Sequence, residues 1–193
     1  MIKLLPLIFI YIFSIVGVNT LEADYKSGHV IVIHSDLEKE KNYILFGLTK
    51  NGKLSPFGGL RDRGEKDPKN TAAREAEEEG LGVLGNKAII RKMLNGVTEV
   101  TNKCGHYCYI LPSKYYGNNL SQKFKKIRLD PNIKLKRCQQ EMTDIVAVEV
   151  EVLRKKVFSG KRLEFEDNEG KLRPVRVENV IIEAVRKGHF NKL

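Results

Sequence analysis

The sequence predicts an α/β or α+β sandwich, and three observations carry that prediction. Runs rich in β-branched residues recur at strand length, most clearly at 28–35 (GHVIVIHS) and 144–152 (DIVAVEVEV). Two segments, 67–79 and 177–187, place small or apolar residues at helical spacing. Turn signals rich in Gly, Pro and Asn separate these elements, and packing mixed strands against amphipathic helices gives a layered fold.

Taken in order, 28–35 reads as a strand, the polar 36–42 as a turn, and 43–48 (YILFGL) as the antiparallel partner. Asn51-Gly52 marks the next turn. Asp67-Pro68 leads into a helix, because Pro suits the first helical turn, with Asn70 or Thr71 as alternative caps. Gly80 and Gly82 end that helix. Ala72, Ala73 and Ala76 are small enough to let one side lie close to a sheet, which leaves Glu75, Glu78 and Glu79 on a wetter side. Residues 87–94 (KAIIRKML), 96–100 and 105–111 read as further strands. Residues 114–140 read as a long loop that begins with Tyr115 and Tyr116. The alternating strand 144–152 follows, then a short helical turn at 153–158, a hairpin with arms at 162–165 and 172–176, and the C-terminal helix 177–187 stopped by Gly188.

A chain of 193 residues with 41% hydrophobic and 30% charged residues can bury a core, which excludes the disordered class. Its formal net charge of +10 favours anionic partners: nucleotides, nucleic acid or a lipid headgroup surface. The first residues differ from the rest. Lys3 precedes an almost wholly apolar run at 4–18, the pattern of a secretory signal peptide, shorter than a membrane-spanning helix needs. Residues 1–23 are therefore expected to be a signal peptide, with cleavage between Val18 and Ala23, or else an uncleaved N-terminal membrane anchor. A buried first element of the domain is the third reading. The folded domain is expected to span 24–193, and a cleaved leader would make it secreted.

Three cysteines, Cys104, Cys108 and Cys138, leave one unpaired if export lets two form a disulfide. Cys104, His106 and Cys108 invite a zinc reading, but the spacing is not a usual one and CGHYCYIL alternates like a strand. Packing as small buried residues is the preferred reading.

The stretch 58–80 (GGLRDRGEKDPKNTAAREAEEEG) carries the chemistry. Its helix packs Arg74, Glu75, Glu77, Glu78 and Glu79 into six residues. Like charges three and four apart repel, and Glu75, Glu78 and Glu79 project from one face. Three carboxylates on one face offer hard oxygen ligands to Mg²⁺ or a similar cation. The basic run through Lys123, Lys125, Lys126, Arg128, Lys134, Lys136 and Arg137, opposed by Asp130 alone, reads as a solvated loop or a phosphate-contacting surface.

The stretch resembles the Nudix box, G-x5-E-x7-R-E-U-x-E-E-x-G-U, with U a bulky apolar residue. Gly59 and Glu65 match the opening, and 74–79 matches R-E-U-x-E-E. The chain departs from it in three places. Eight residues separate Glu65 from Arg74, the closing glycine is shifted, and Ala76 is small for its position. The resemblance implies an α/β fold of the Nudix kind, an α/β/α sandwich around a mixed β-sheet. It further implies Mg²⁺- or Mn²⁺-dependent hydrolysis of a diphosphate linked to a further moiety. Glu75, Glu78 and Glu79 match the metal-binding acids, and the Gly58 carbonyl completes the coordination. Glu75, Glu78 or a nearby acid activates water. Arg74 holds the acids, Glu65 steadies the loop and Gly59 allows close backbone approach. Glu141 is the candidate for an additional carboxylate from outside the box, with Asp144 second. Arg61 and Arg63 are candidate phosphate contacts. The implied partner is a phosphorylated small molecule such as a nucleotide derivative. RNA is a further candidate through Lys123 to Arg137, and a membrane if the leader stays. The alternative to a hydrolase is a module of the same fold that binds nucleotide or RNA without efficient cleavage.

Overall fold

The computed structural model describes residues 25–101, 104–113, 120–159, 163–166, 172–177 and 179–190. The expected leader at 1–23 lies outside them, as do Tyr115 and Tyr116. Among these residues nine strands form one mixed sheet: β1 (Ser27–Asp36), β2 (Lys41–Thr49), β3 (Lys53–Ser55), β4 (Phe57–Leu60), β5 (Thr98–Thr101), β6 (His106–Ser113), β7 (Met142–Glu149), β8 (Leu163–Glu166) and β9 (Leu172–Val177). The helices are α1 (Pro68–Glu79), α2 (Lys87–Met93), α3 (Leu120–Leu129), α4 (Val150–Ser159) and α5 (Asn179–Arg186). No described helix is long and apolar enough to cross a membrane.

Strand β1 is the hub. Val30 and Val32 are buried on one face of the sheet, Ile31 and Ile33 on the other. A strand covered on both faces needs apolar side chains at both phases, which explains the unbroken β-branched run. On one edge β1 pairs in parallel with β6. On its other edge Val32–Asp36 pairs antiparallel with β2, whereas Ser27–Val30 pairs with β4. The sheet runs β5-β6-β1-β2-β3-β9-β8, with β7 against β2.

Helices cover both faces. Ala72, Ala73, Ala76, Ile90 and Phe124 from α1, α2 and α3 join Val30 and Val32 in one core. Leu153, Ile181 and Ala184 from α4 and α5 join Ile31 and Ile33 in the other. The architecture is therefore the expected α/β/α sandwich. Gly28 sets the closeness of its first layer. A Cβ at that position would collide with the Pro68 carbonyl oxygen and the Ala72 amide, so only glycine lets α1 rest on β1.

Several local expectations are corrected. Within 87–94, Lys87–Met93 forms a helix, because Asn86 caps it through the Ile89 amide at 2.9 Å and the burial follows helical spacing, with Ile90 buried and Ile89 exposed. The presumed loop 114–140 contains α3, anchored by buried Leu120 and Phe124. The strand ending at Val152 stops at Glu149, and Val150 and Leu153 turn inward on α4, a ten-residue helix where a short turn was expected. The β8–β9 hairpin forms antiparallel as expected, and the last helix starts at Asn179, two residues late. Cys108 is buried in β6, Cys104 lies in the turn before it, and none of the three cysteines is in a disulfide.

Candidate functional site

The loop from β4 and the C-terminal half of α1 form one constellation. Asp67 caps α1 by accepting the Lys69 amide at 2.8 Å, and Pro68 occupies the first turn, so the helix start is fixed chemically. From there the acids fall at defined heights along the helix.

Arg74 is the centre. Its guanidinium donates to Glu65 (3.1 and 3.3 Å), to Glu75 (2.8 Å), to Glu78 (3.3 Å) and to the Leu60 carbonyl (3.1 Å). Asp62 lies 3.3 Å from Nε. Burial works against the charge of Arg74, but its acids outweigh that effect and keep it protonated. Glu65 also accepts the Asp62 amide at 3.1 Å and the Thr71 hydroxyl, so it ties the loop to the helix across the extra residue before Arg74. Burial pushes the Glu65 carboxyl up. Arg74, Thr71 and the Asp62 amide more than offset this, and the group ends below the ordinary glutamate range.

Glu75 behaves in the opposite way. Its carboxylate rests where a Gly59 side chain would have to be, which is why that position is glycine. Burial raises its pKa, Arg74 lowers it, and the charge of Glu78 raises it again, with a net upward shift. Glu79 is buried, contrary to the wetter side expected for it, and accepts the Gly58 amide at 2.7 Å. The short 3-10 turn at Cys138–Gln140 brings the Cys138 thiol against Glu78. Burial, then the Glu78 charge, pushes that thiol up.

In this arrangement Glu75 and Glu78 turn onto Arg74, and among the described residues no three His, Cys, Asp or Glu side chains converge on one point. The donor set nonetheless fits a hard cation, since Gly58, Glu75, Glu78 and Glu79 supply carbonyl and carboxylate oxygens. The raised pKa of Glu75 points the same way. A carboxylate whose charge is penalised by burial and by a neighbouring acid gains from an added cation.

A cavity of about 450 Å³ adjoins the acids. Gly58, Glu79 and Glu141 share it with His29, Lys50 and Lys53. It opens in the fork where β1 exchanges β2 for β4. The segment 53–60 crosses that fork, pairing first with β2 and then with β1. Glu141, expected as an additional carboxylate from outside the box, lines this cavity. Asp144 is committed elsewhere: it is buried and accepts from Ser121 (2.6 Å), Lys125 (2.8 Å) and its neighbour's amide (2.8 Å). Arg61 and Arg63 do not line the cavity. Arg61 lies 5.0 Å from the Tyr25 ring centroid and Arg63 is exposed.

The sequence reading missed His29, Lys50 and Lys53. A signal was present: His29 follows Gly28 in a strand, and the lysines flank the Asn51-Gly52 turn. It also missed Cys138, whose position depends on the fold of 130–140.

No family model matches the chain, and no curated protein matches it. Solved structures do resemble it. An Ap4A hydrolase of C. elegans in a binary complex is 15% identical, with a TM-score of 0.42 over 67% of this chain and 84% of that one. The NUDIX domain of Shewanella oneidensis NrtR, complexed with ADP ribose, is 11% identical, with a TM-score of 0.44 over 83% and 85%. A mutT/nudix family protein of Listeria innocua is 13% identical, with a TM-score of 0.45 over 88% and 95%. These likenesses are distant.

Proposed function

We propose that this protein is a divalent-metal-dependent hydrolase that cleaves a diphosphate linked to another moiety, such as a nucleotide derivative. The observation that carries this reading is the cluster at the end of α1: Arg74 holds Glu75 and Glu78, Glu75 lies against Gly59, and Glu79 accepts the Gly58 amide at the edge of an open cavity. Gly58, Glu75, Glu78 and Glu79 would hold Mg²⁺ or Mn²⁺, which when bound neutralises diphosphate oxygens and makes water more acidic. Arg74 and Glu65 keep the acids oriented. Glu141 is exposed and lines the same cavity as Glu79, which supports it as the group that takes the proton from the attacking water. Water attacks phosphorus, the bond to the bridging oxygen breaks, and the second phosphate leaves with that oxygen.

A panel of diphosphate substrates with Mg²⁺ or Mn²⁺ tests the proposal. Glu78→Gln and Glu79→Gln are each expected to lower kcat/KM by about 100-fold or more. Equal turnover by both variants and wild type removes the assigned site.

A second reading, a module that binds nucleotide or RNA with little cleavage, draws on the exposed cations Lys123, Lys126, Lys134, Lys136 and Arg137. Their segment runs straight into the turn that places Cys138 at Glu78. We further propose that residues 1–23 are a signal peptide or membrane anchor and that the domain at 24–193 works outside the cytosol. N-terminal sequencing of the mature chain decides this, and an intact Met1 on a cytosolic protein ends it.

A further inference from the structure

The cations of α3 continue into the segment 130–137, which the fold holds in a defined shape. Asp130 to Ile133 forms a tight turn. The Ile133 amide donates to the Asp130 carbonyl at 3.1 Å, and the Asp130 carboxylate accepts the Asn132 amide at 2.9 Å. Leu135 then packs against the core, and the Lys136 amide donates to the Gln139 side chain at 2.9 Å. Lys123, Lys126, Lys134, Lys136 and Arg137 are exposed. Lys125 meets Asp144 at 2.8 Å, but among the described residues none of those five is in an ion pair. Asp130 is the lone acid of 120–140, and its carboxylate is engaged by the turn.

Two aliphatic side chains stand among these cations. Leu129, at the end of α3, is 76% exposed, and Ile133 is 42% exposed. The hydrogen bond that closes the turn keeps the two neighbours in space as well as in sequence. A face built for single-stranded RNA offers rings on which bases stack. Phe124, the single aromatic residue of 120–140, is buried in the core instead. Aliphatic groups set among cations match a bilayer surface: the cations meet anionic headgroups, and the aliphatic groups enter the boundary with the acyl chains. We propose that residues 123–137 form a docking surface for anionic lipid membranes, with Leu129 and Ile133 entering among headgroups that the five cations attract. This surface belongs to the folded domain, so it acts with or without residues 1–23, and it is independent of the hydrolase reading.

Co-sedimentation of the full chain with vesicles tests it. One set is phosphatidylcholine alone, and the other mixes phosphatidylcholine with phosphatidylserine at about two to one. Wild type is expected to bind the mixed vesicles at least about 10-fold more tightly, with the difference shrinking as salt is added. Lys126→Ala with Lys134→Ala is expected to weaken that binding by about 10- to 30-fold. Leu129→Ser with Ile133→Ser leaves the charge unchanged and is expected to weaken it by about 10-fold. The serine pair leaves binding of an oligouridine RNA as it is in wild type. All four residues are exposed, and thermal unfolding checks that each variant is folded. Wild-type binding by the serine pair overturns the proposal, as does equal binding of wild type to both vesicle sets. Binding driven by residues 1–23 gives the first of these results. Lysine-dependent binding of the RNA without binding of mixed vesicles overturns it too, and assigns the face to nucleic acid.

Discussion

Helices α1 and α3 pack on the same face of the sheet, carry dense charge of opposite sign, and use that charge differently. On α1, Glu75 and Glu78 turn onto Arg74 and Glu79 turns onto the Gly58 amide, so each acid has a fixed address. On α3, Lys125 meets Asp144, while Lys123 and Lys126 face solvent. Charge held in a constellation defines a geometry at which chemistry can occur. Charge left on an exposed face defines only a potential, open to any polyanion.

The sharpest way to break this contrast is Arg74→Ala. It leaves Glu65 and Glu75, both largely buried, without the guanidinium between them, and about 3 kcal/mol of stability is expected to be lost. Urea unfolding measures this. Saturating Mg²⁺ is expected to restore part of it, because a cation replaces the one removed. A loss below about 1 kcal/mol would place Arg74 with ordinary surface pairs.

Acid titration of stability tests the constellation more finely, because two acids on the same arginine have opposite signs. The folded pKa of Glu65 lies below its ordinary value of 4.5. Its stabilisation is complete above that value and is lost as the pH falls through the lower folded one. The folded pKa of Glu75 is raised, so its charge costs stability at neutral pH and protonation relieves the cost as the pH falls. Glu65→Gln is expected to flatten the acid limb of the stability curve, and Glu75→Gln to steepen it. Parallel shifts in both variants would contradict the pairing described above.

The smallest effect is expected on α3. Replacing Lys123 and Lys126 with Ala should change stability by less than about 0.5 kcal/mol. If this face binds single-stranded RNA, the log–log salt slope of that binding loses about one unit. An unchanged slope means the two lysines are simply solvated.

The same contrast explains what could be read from the sequence. The box was legible because its residues act at short, fixed separations: Glu65 to Arg74 across a loop, Glu75 to Glu79 within a helix turn. The strands 28–35 and 43–48 were legible because burial on two faces demands β-branched runs. Helix α2 was hidden by its two isoleucines, whose β-branched character imitates a strand, although Asn86 was available as a cap. Helix α3 was hidden by its lysines, which masked Leu120, Phe124 and Ile127 at helical spacing. The lysines of the cavity were illegible for a different reason. Lys50, Lys53 and Glu141 line one cavity because β7 pairs with β2, a contact that no local pattern announces.

Buried Pro56 sits between β3 and β4, where the segment 53–60 crosses from one strand partner to the other. Proline has no amide hydrogen to give to a ladder, so this segment cannot zip wholly onto either β1 or β2. The fork between the two strands is thus set by pairing within the chain itself. Lys53 stands before this proline and Gly58 after it, and both line the cavity. A ligand entering there meets a backbone already set by strand pairing, so association costs little further ordering of it.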